Sequence, residues 1–292
     1  MDKIYILVLI ISILIVILLS IYFGVSMSIA YILTRTHKID NRLMGKYKYI
    51  NQEKPLQNGK TWTVLGDNNE IFRAKFYQTN NDHKYIILVP SYLGNNESTN
   101  YACKLFLEKG YNCLAINNRG TSKKTGKSVT FGFYENYDLQ KWFNYLLNYD
   151  NEAEVGLFGE GMGASTALMC AGDIPEIKFV ISYNAYFSME KLIDTKMEKY
   201  KIFIGPTKWF LRHFIKVYVE QLNPDIWAKK AEATIVIIND ESKLIDSKIQ
   251  NEYIKEINNL PIKIVGEHLM GLRNNPEMLL KALEIAERSN KK

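Results

Sequence analysis

The sequence predicts an α/β chain in which a mostly parallel sheet, covered by helices on both faces, follows a single transmembrane helix. Three observations lead there. Residues 4–34 contain no charged side chain and are dominated by Ile, Leu and Val. Beyond residue 60, short runs rich in Val and Ile alternate with stretches of helical period, the pattern of strands buried on both faces and joined by crossover helices. The composition, 47% hydrophobic and 23% charged, excludes a wholly disordered or fibrous chain.

The N-terminal run comes first. About 20 apolar residues cross a bilayer as a helix, because lipid cannot satisfy an open backbone. A cleaved signal peptide is the competing reading, but its apolar region is ordinarily about 7–15 residues. Here only Lys3 precedes a much longer run, and Ser28-Ile29-Ala30 is a poor cleavage site. We therefore read 1–34 as an uncleaved anchor, 35–60 as a basic juxtamembrane linker and 61–292 as one folded domain. Residues 1–50 carry Lys3, Arg35, Lys38, Arg42, Lys46 and Lys48 against Asp2 and Asp40, so +4 of the formal charge of +6 lies there. Most of these cations follow the span, which by the positive-inside rule predicts a single-pass protein of the cell membrane with its C-terminal domain in the cytoplasm. No lipidation motif opens the chain.

Residues 51–59 are polar and lead into a first hairpin. Alternation predicts a strand at 71–77, and apolar runs predict strands at 85–89, 112–116, 155–158, 179–182, 234–238 and 262–265. Helical spacing covers 99–109, closed by Gly110, then 134–149, 164–171, 247–257 and 276–288. Residues 189–221 read as mostly helical, with a break expected at Gly205-Pro206. No repeats or low-complexity segments occur. Cys103, Cys113 and Cys170 form no CxxC pair and have no His at ligand spacing, which argues against a disulfide framework or a structural zinc.

The chemistry of such a sheet belongs at the C-terminal ends of its strands. There the segment GLFGEGMG (156–163) stands between a strand and a helix. That is the context of the nucleophile elbow, G-x-S-x-G, with Gly161 at the position of the Ser. The same glycines with Ala164 fit G-x-G-x-x-A, the dinucleotide fingerprint. That reading wants the first strand of the fold and an acidic residue about 20 positions on, whereas this strand is a central one and Asn184 and Tyr186 stand near the expected place. GxxxxGK[ST] is absent, which excludes a P-loop.

Several stretches, in order, carry a family resemblance. FLEKGYNCLAINNRGTSKKTGKS (106–128) matches a strand ending in D-x-R-G-x-G-x-S. FGFYENYDLQKWFNYL (131–146) and GLFGEGMGASTALM (156–169) match the following helix and elbow, and SYNAYFSMEKLI (182–193) matches the next strand and the start of a lid. From about residue 60 onward the chain resembles the membrane-anchored α/β-hydrolases of Gram-positive and related bacteria, a branch of the serine-hydrolase superfamily with esterase- and peptidase-like members. The resemblance implies an α/β-hydrolase fold with a helical lid at about 187–222.

Mapped onto this sequence, the resemblance also marks departures. The nucleophile position is Gly161. The family's His-Gly beside the oxyanion hole is Pro90-Ser91. The Asp of D-x-R-G is Asn117, although Arg119-Gly120 remain. The acid position falls on Ser242 or Lys243. Gly266-Glu267-His268 matches the segment of the triad His, so His268 is the retained member, with Asp240 or Glu241 as substitute acids. The backbone N–H groups of Tyr92 and Met162 would form an anion-binding hollow, with Ser91 the hydroxyl nearest it. Triad chemistry needs nucleophile, base and orienter together, so standard Ser-His-Asp catalysis is expected to be absent.

The functional expectation is a pocket or surface that binds a small apolar ligand or a protein partner at the membrane, without a cofactor. The alternative is an active esterase or acyl hydrolase using His268 with an unconventional nucleophile. The 202–219 segment, with Trp209, Phe210, Phe214, Lys208, Arg212 and Lys216, reads either as an ordinary lid helix or as one that touches lipid. Nucleic-acid binding has no supporting motif or basic excess.

Overall fold

The computed structural model describes residues 3–35, 56–66, 69–79, 83–92, 94–120, 128–240, 264–266 and 271–290. Eight strands form one sheet: β1 (Lys60–Leu65), β2 (Ile71–Tyr77), β3 (Lys84–Val89), β4 (Asn112–Ile116), β5 (Glu154–Glu160), β6 (Phe179–Tyr183), β7 (Thr234–Asp240) and β8 (Ile264–Gly266). Their spatial order is β1-β2-β4-β3-β5-β6-β7-β8. β1 and β2 form an antiparallel hairpin, β2 lies antiparallel to β4, and every later pairing is parallel.

The described helices are α1 (Lys3–Thr34), α2 (Asn100–Glu108), α3 (Phe133–Tyr149), α4 (Met162–Asp173), α5 (Met189–Lys196), α6 (Lys201–Ile215), α7 (Pro224–Ala228), α8 (Gly271–Asn274) and α9 (Pro276–Asn290). Alternation along the strands divides the core. Ile87, Leu114, Leu157, Val180 and Ile237 face one layer with Leu139, Trp142 and Leu168. Ile86, Leu88, Phe158, Ile181 and Ile238 face the other with Phe106, Leu279 and Leu283. Burying a side chain of this size contributes about 1.5–3 kcal/mol, so two such layers fix the strand register through the pleat.

The expected strands and helices occur, with ends moved by a residue or two, and Gly110 takes positive φ after α2 as a closing glycine does. The helix expected over 247–257 and positions 262–263 of the last expected strand lie outside the described residues. One expectation needs correction. Gly205-Pro206 does not break the helical segment between β6 and β7; the break falls at 197–200, and Pro206 lies inside α6. A proline in a helix leaves the carbonyl four residues earlier without its donor. That carbonyl belongs to Ile202, and it accepts a hydrogen bond from Tyr22 Oη of α1 at 2.6 Å. A side chain 180 residues away thus takes over the role of the missing N–H.

α1 has two halves. Residues 4–21 are exposed, whereas Ser26, Ala30 and Thr34 are buried at four-residue spacing, one face of a helix. That face packs along α6, with Tyr22 against Phe203 and Tyr31 edge-on to Phe214. The last carbonyls of α1 lack intrahelical donors; Tyr92 Oη donates to Leu33 O at 2.5 Å, and Val129 N to Thr34 O at 2.9 Å. In the exposed half, Ser12 and Ser20 turn back to Val8 O and Val16 O (2.8 and 2.7 Å), so neither hydroxyl is left unsatisfied on the apolar surface. This is a helix long and apolar enough to cross a membrane.

Candidate functional site

The C-terminal ends of β3, β5 and β6 meet the start of α4 at a tight turn. Gly161 has φ 54° and ψ −117°, in left-handed space, and its N–H donates to Tyr183 O of β6 at 2.8 Å. The neighbouring glycines have different reasons to be glycine. A Cβ on Gly159 would stand 2.4 Å from Gly163 O, and one on Gly163 2.3 Å from Val89 O and 2.4 Å from Pro90 O. Among the described residues, a Cβ on Gly161 would meet nothing nearer than Ser91 Cβ at 3.5 Å. The turn therefore demands glycine at 159 and 163 by close packing. At 161 it has room for a side chain and penalises one only through backbone strain.

The loop after β3 is clamped by the residues after β4. Asn118 Nδ2 donates to Pro90 O at 2.9 Å, and Asn117 Oδ1 accepts from Asn96 N at 2.9 Å. Asn117, standing where the resemblance expects Asp, thus positions the segment that carries Ser91 and Tyr92. Arg119 forms a two-pronged pair with Asp138 of α3, Nε and Nη2 each 2.7 Å from a carboxylate oxygen, and lies over the Tyr134 ring. Both residues of that pair are largely buried. It braces the β4 end of the site.

Ser91 and Gly161 are therefore neighbours, and Met162 opens α4, where first-turn N–H groups have no intrahelical acceptor. Ser165, one turn on, is not a free hydroxyl: its Oγ donates to Tyr186 O at 2.8 Å. Asp240 ends β7 and its backbone is in register with Gly266 of β8. Glu241 and His268 lie outside the described residues.

Two features were not anticipated from sequence. Glu160, the residue before Gly161, is buried and accepts a short hydrogen bond from Tyr101 Oη of α2. Burial, and then the Glu160 carboxylate, push the Tyr101 phenol well above its ordinary pKa, so it remains a donor. The Arg273 guanidinium lies 4.9 Å from the Tyr101 ring centroid. Glu160 thus points to the α2 side of the sheet, away from the space above Gly161. The second feature is α1 itself. Ala30 and Leu33 share one apolar cluster with Met162, Phe131 and Tyr92 and with Leu211 and Ile215 of α6. Of the basic residues on α6, Lys208 faces inward, 3.0 Å from Glu190 and 2.8 Å from Asp194 of α5, and Arg212 lies over Tyr218.

Comparison of the whole architecture with solved structures decides the fold. An esterase of Pyrococcus furiosus, Pf2001, superposes with a TM-score of 0.64 at 18% identity, covering 82% of this chain and 97% of the esterase. GrgF, an α/β hydrolase of Penicillium sp. sh18, gives 0.63 at 12% identity over 79% of this chain and 98% of its own. The esterase domain of a Rhodothermus marinus protein gives 0.57 at 13%, over 80% and 99%. The fold is that of the α/β-hydrolases. No family model matches the chain. In sequence it is 44% identical over 69 residues to the uncharacterized protein YqkD of Bacillus subtilis, a stretch that is 23% of each chain. In this fold the turn at Gly159–Gly163 joins β5 to α4.

Proposed function

We propose that this chain is a membrane-anchored member of the α/β-hydrolase fold that binds a small apolar ligand or a protein partner without hydrolysing it by Ser-His-Asp chemistry. One observation carries the reading. The turn has the backbone conformation and the two packing glycines of an elbow, leaves space at 161 among the described residues, and carries no side chain there. The nearest alternative on the following helix, Ser165, is bonded to a carbonyl. Without a nucleophile the remaining members of a triad have nothing to activate. In this reading α5, α6 and their connections (about 187–222) are the lid, α1 is the anchor, and the basic residues after α1 place the domain on the cytoplasmic face. By the resemblance His268 is the retained triad position and Asp240 or Glu241 the substitute acid, and the N–H groups of Tyr92 and Met162 would form the hollow that receives a polar end of the ligand.

A second reading has one observation in its favour. Ser91 Cβ lies in contact with the place where a nucleophile's Cβ would stand, so an esterase or acyl hydrolase using Ser91 with His268 is the enzyme version of this site. A fluorophosphonate probe separates the two. The binding reading expects no covalent labelling of the full chain; stoichiometric labelling that disappears in Ser91→Ala would overturn it. Gly161→Ser is expected not to restore ester cleavage, since the acid position has changed as well.

A further inference from the structure

We infer that the tip of the helical segment between β6 and β7, residues 196–202, seats on the lipid surface, with Tyr200 and Ile202 entering the boundary between headgroups and acyl chains. The inference rests on the membrane-anchor part of the proposed function and adds where the bilayer meets the domain.

Among the described residues, α1 is exposed on every side over 4–21, and only beyond Tyr22 does one face become buried. At 1.5 Å per residue these 18 residues span about 27 Å, close to the roughly 30 Å hydrocarbon thickness of a bilayer. The protein itself thus marks the level at which α1 leaves the apolar layer, at Tyr22. That level is shared by the start of α6: Tyr22 Oη donates to Ile202 O at 2.6 Å, and its ring lies 5.5 Å from that of Phe203. Further along, Tyr31 meets Phe214. Both helices therefore run in the same direction away from the bilayer, and the N-terminal end of α6 is the end that faces it.

The residues at that end suit an interface. Tyr200 is 61% and Ile202 67% exposed, a large apolar surface that the fold leaves uncovered. Around them stand the exposed Lys196, Lys199 and Lys201, with Glu198 as the one acid. Aromatic rings with a polar edge concentrate at headgroup depth, and lysines near the surface are drawn to anionic headgroups. Trp209, two turns further along α6, lies about 10 Å deeper into the aqueous side and is outside the proposed contact.

The test uses the full chain in vesicles of mixed zwitterionic and anionic phospholipid carrying a nitroxide lipid. Single cysteines labelled with bimane would be placed by Ile202→Cys, Tyr200→Cys, Leu14→Cys in the exposed half of α1, and Tyr149→Cys at the end of α3. Cys103, Cys113 and Cys170 are buried and do not compete for label. The inference expects loss of emission at 14, 200 and 202, and none at 149. Loss at 14 with none at 200 and 202 would overturn the seat while leaving the anchor in place. Full emission at 14 would overturn both.

Discussion

The elbow at Gly159–Gly163 and the seam between α1 and α6 are both built from small residues, yet they are constrained in opposite ways. At the elbow the restriction is local. Gly159 and Gly163 are fixed by backbone atoms within a few residues of the turn or in the adjoining loop, while Gly161 is bare although a side chain would fit. At the seam the restriction is long-range. Ala30 is fully buried against the helical insertion, and Tyr22 supplies the hydrogen bond that Pro206 cannot. The difference teaches that the shape of a strand-to-helix turn and the side chain it could present reside in different residues, so one can vary without the other.

Four substitutions sharpen or break that comparison. The largest effect is expected from Gly163→Ala, whose Cβ would press on two carbonyl oxygens; overpacking of this kind costs about 3 kcal/mol, measured by denaturant unfolding in detergent. Ala30→Leu should cost about 2 kcal/mol and release α1 from α6, read as faster amide exchange across residues 22–34 with the sheet unchanged. Gly161→Ala is expected to cost about 1–2 kcal/mol through left-handed strain alone; a loss matching that of Gly163→Ala would mean that 161 is a packing glycine as well. Tyr22→Phe should cost about 1 kcal/mol, and the loss should vanish in a Pro206→Ala background, where residue 206 regains the N–H that bonds Ile202 O. Additive losses in that double-mutant cycle would disprove the compensation.

Much of the sheet was legible because burial on both faces leaves continuous Val and Ile runs, as in 235–238, and because a strand, glycines at 159 and 163 and a small-residue helix spell the elbow. The seam was not legible. In an all-apolar helix the buried face at Ser26, Ala30 and Thr34 has no polar face to contrast with, so periodicity is silent. The Gly205-Pro206 expectation failed for a related reason: local propensity foretells a break, and a tyrosine distant in sequence removes the need for one. Glu160 was visible in sequence, but its partner Tyr101 is set by the packing of α2. His268 and Glu241 lie outside the described residues, and their roles rest on the resemblance.

The hydrogen bonds from Tyr92 and Val129 to the last turn of α1 have one more consequence. They tie the sheet domain to α1 at a point far in sequence from the chain connection between them. Clamped at the C-terminal end of α1, the domain cannot turn about that helix, so in the anchored reading proposed above it would keep one azimuth and one height over the bilayer. The loop that carries Ser91 and Tyr92 is part of the clamp, so any displacement of α1 must be accommodated beside Gly161.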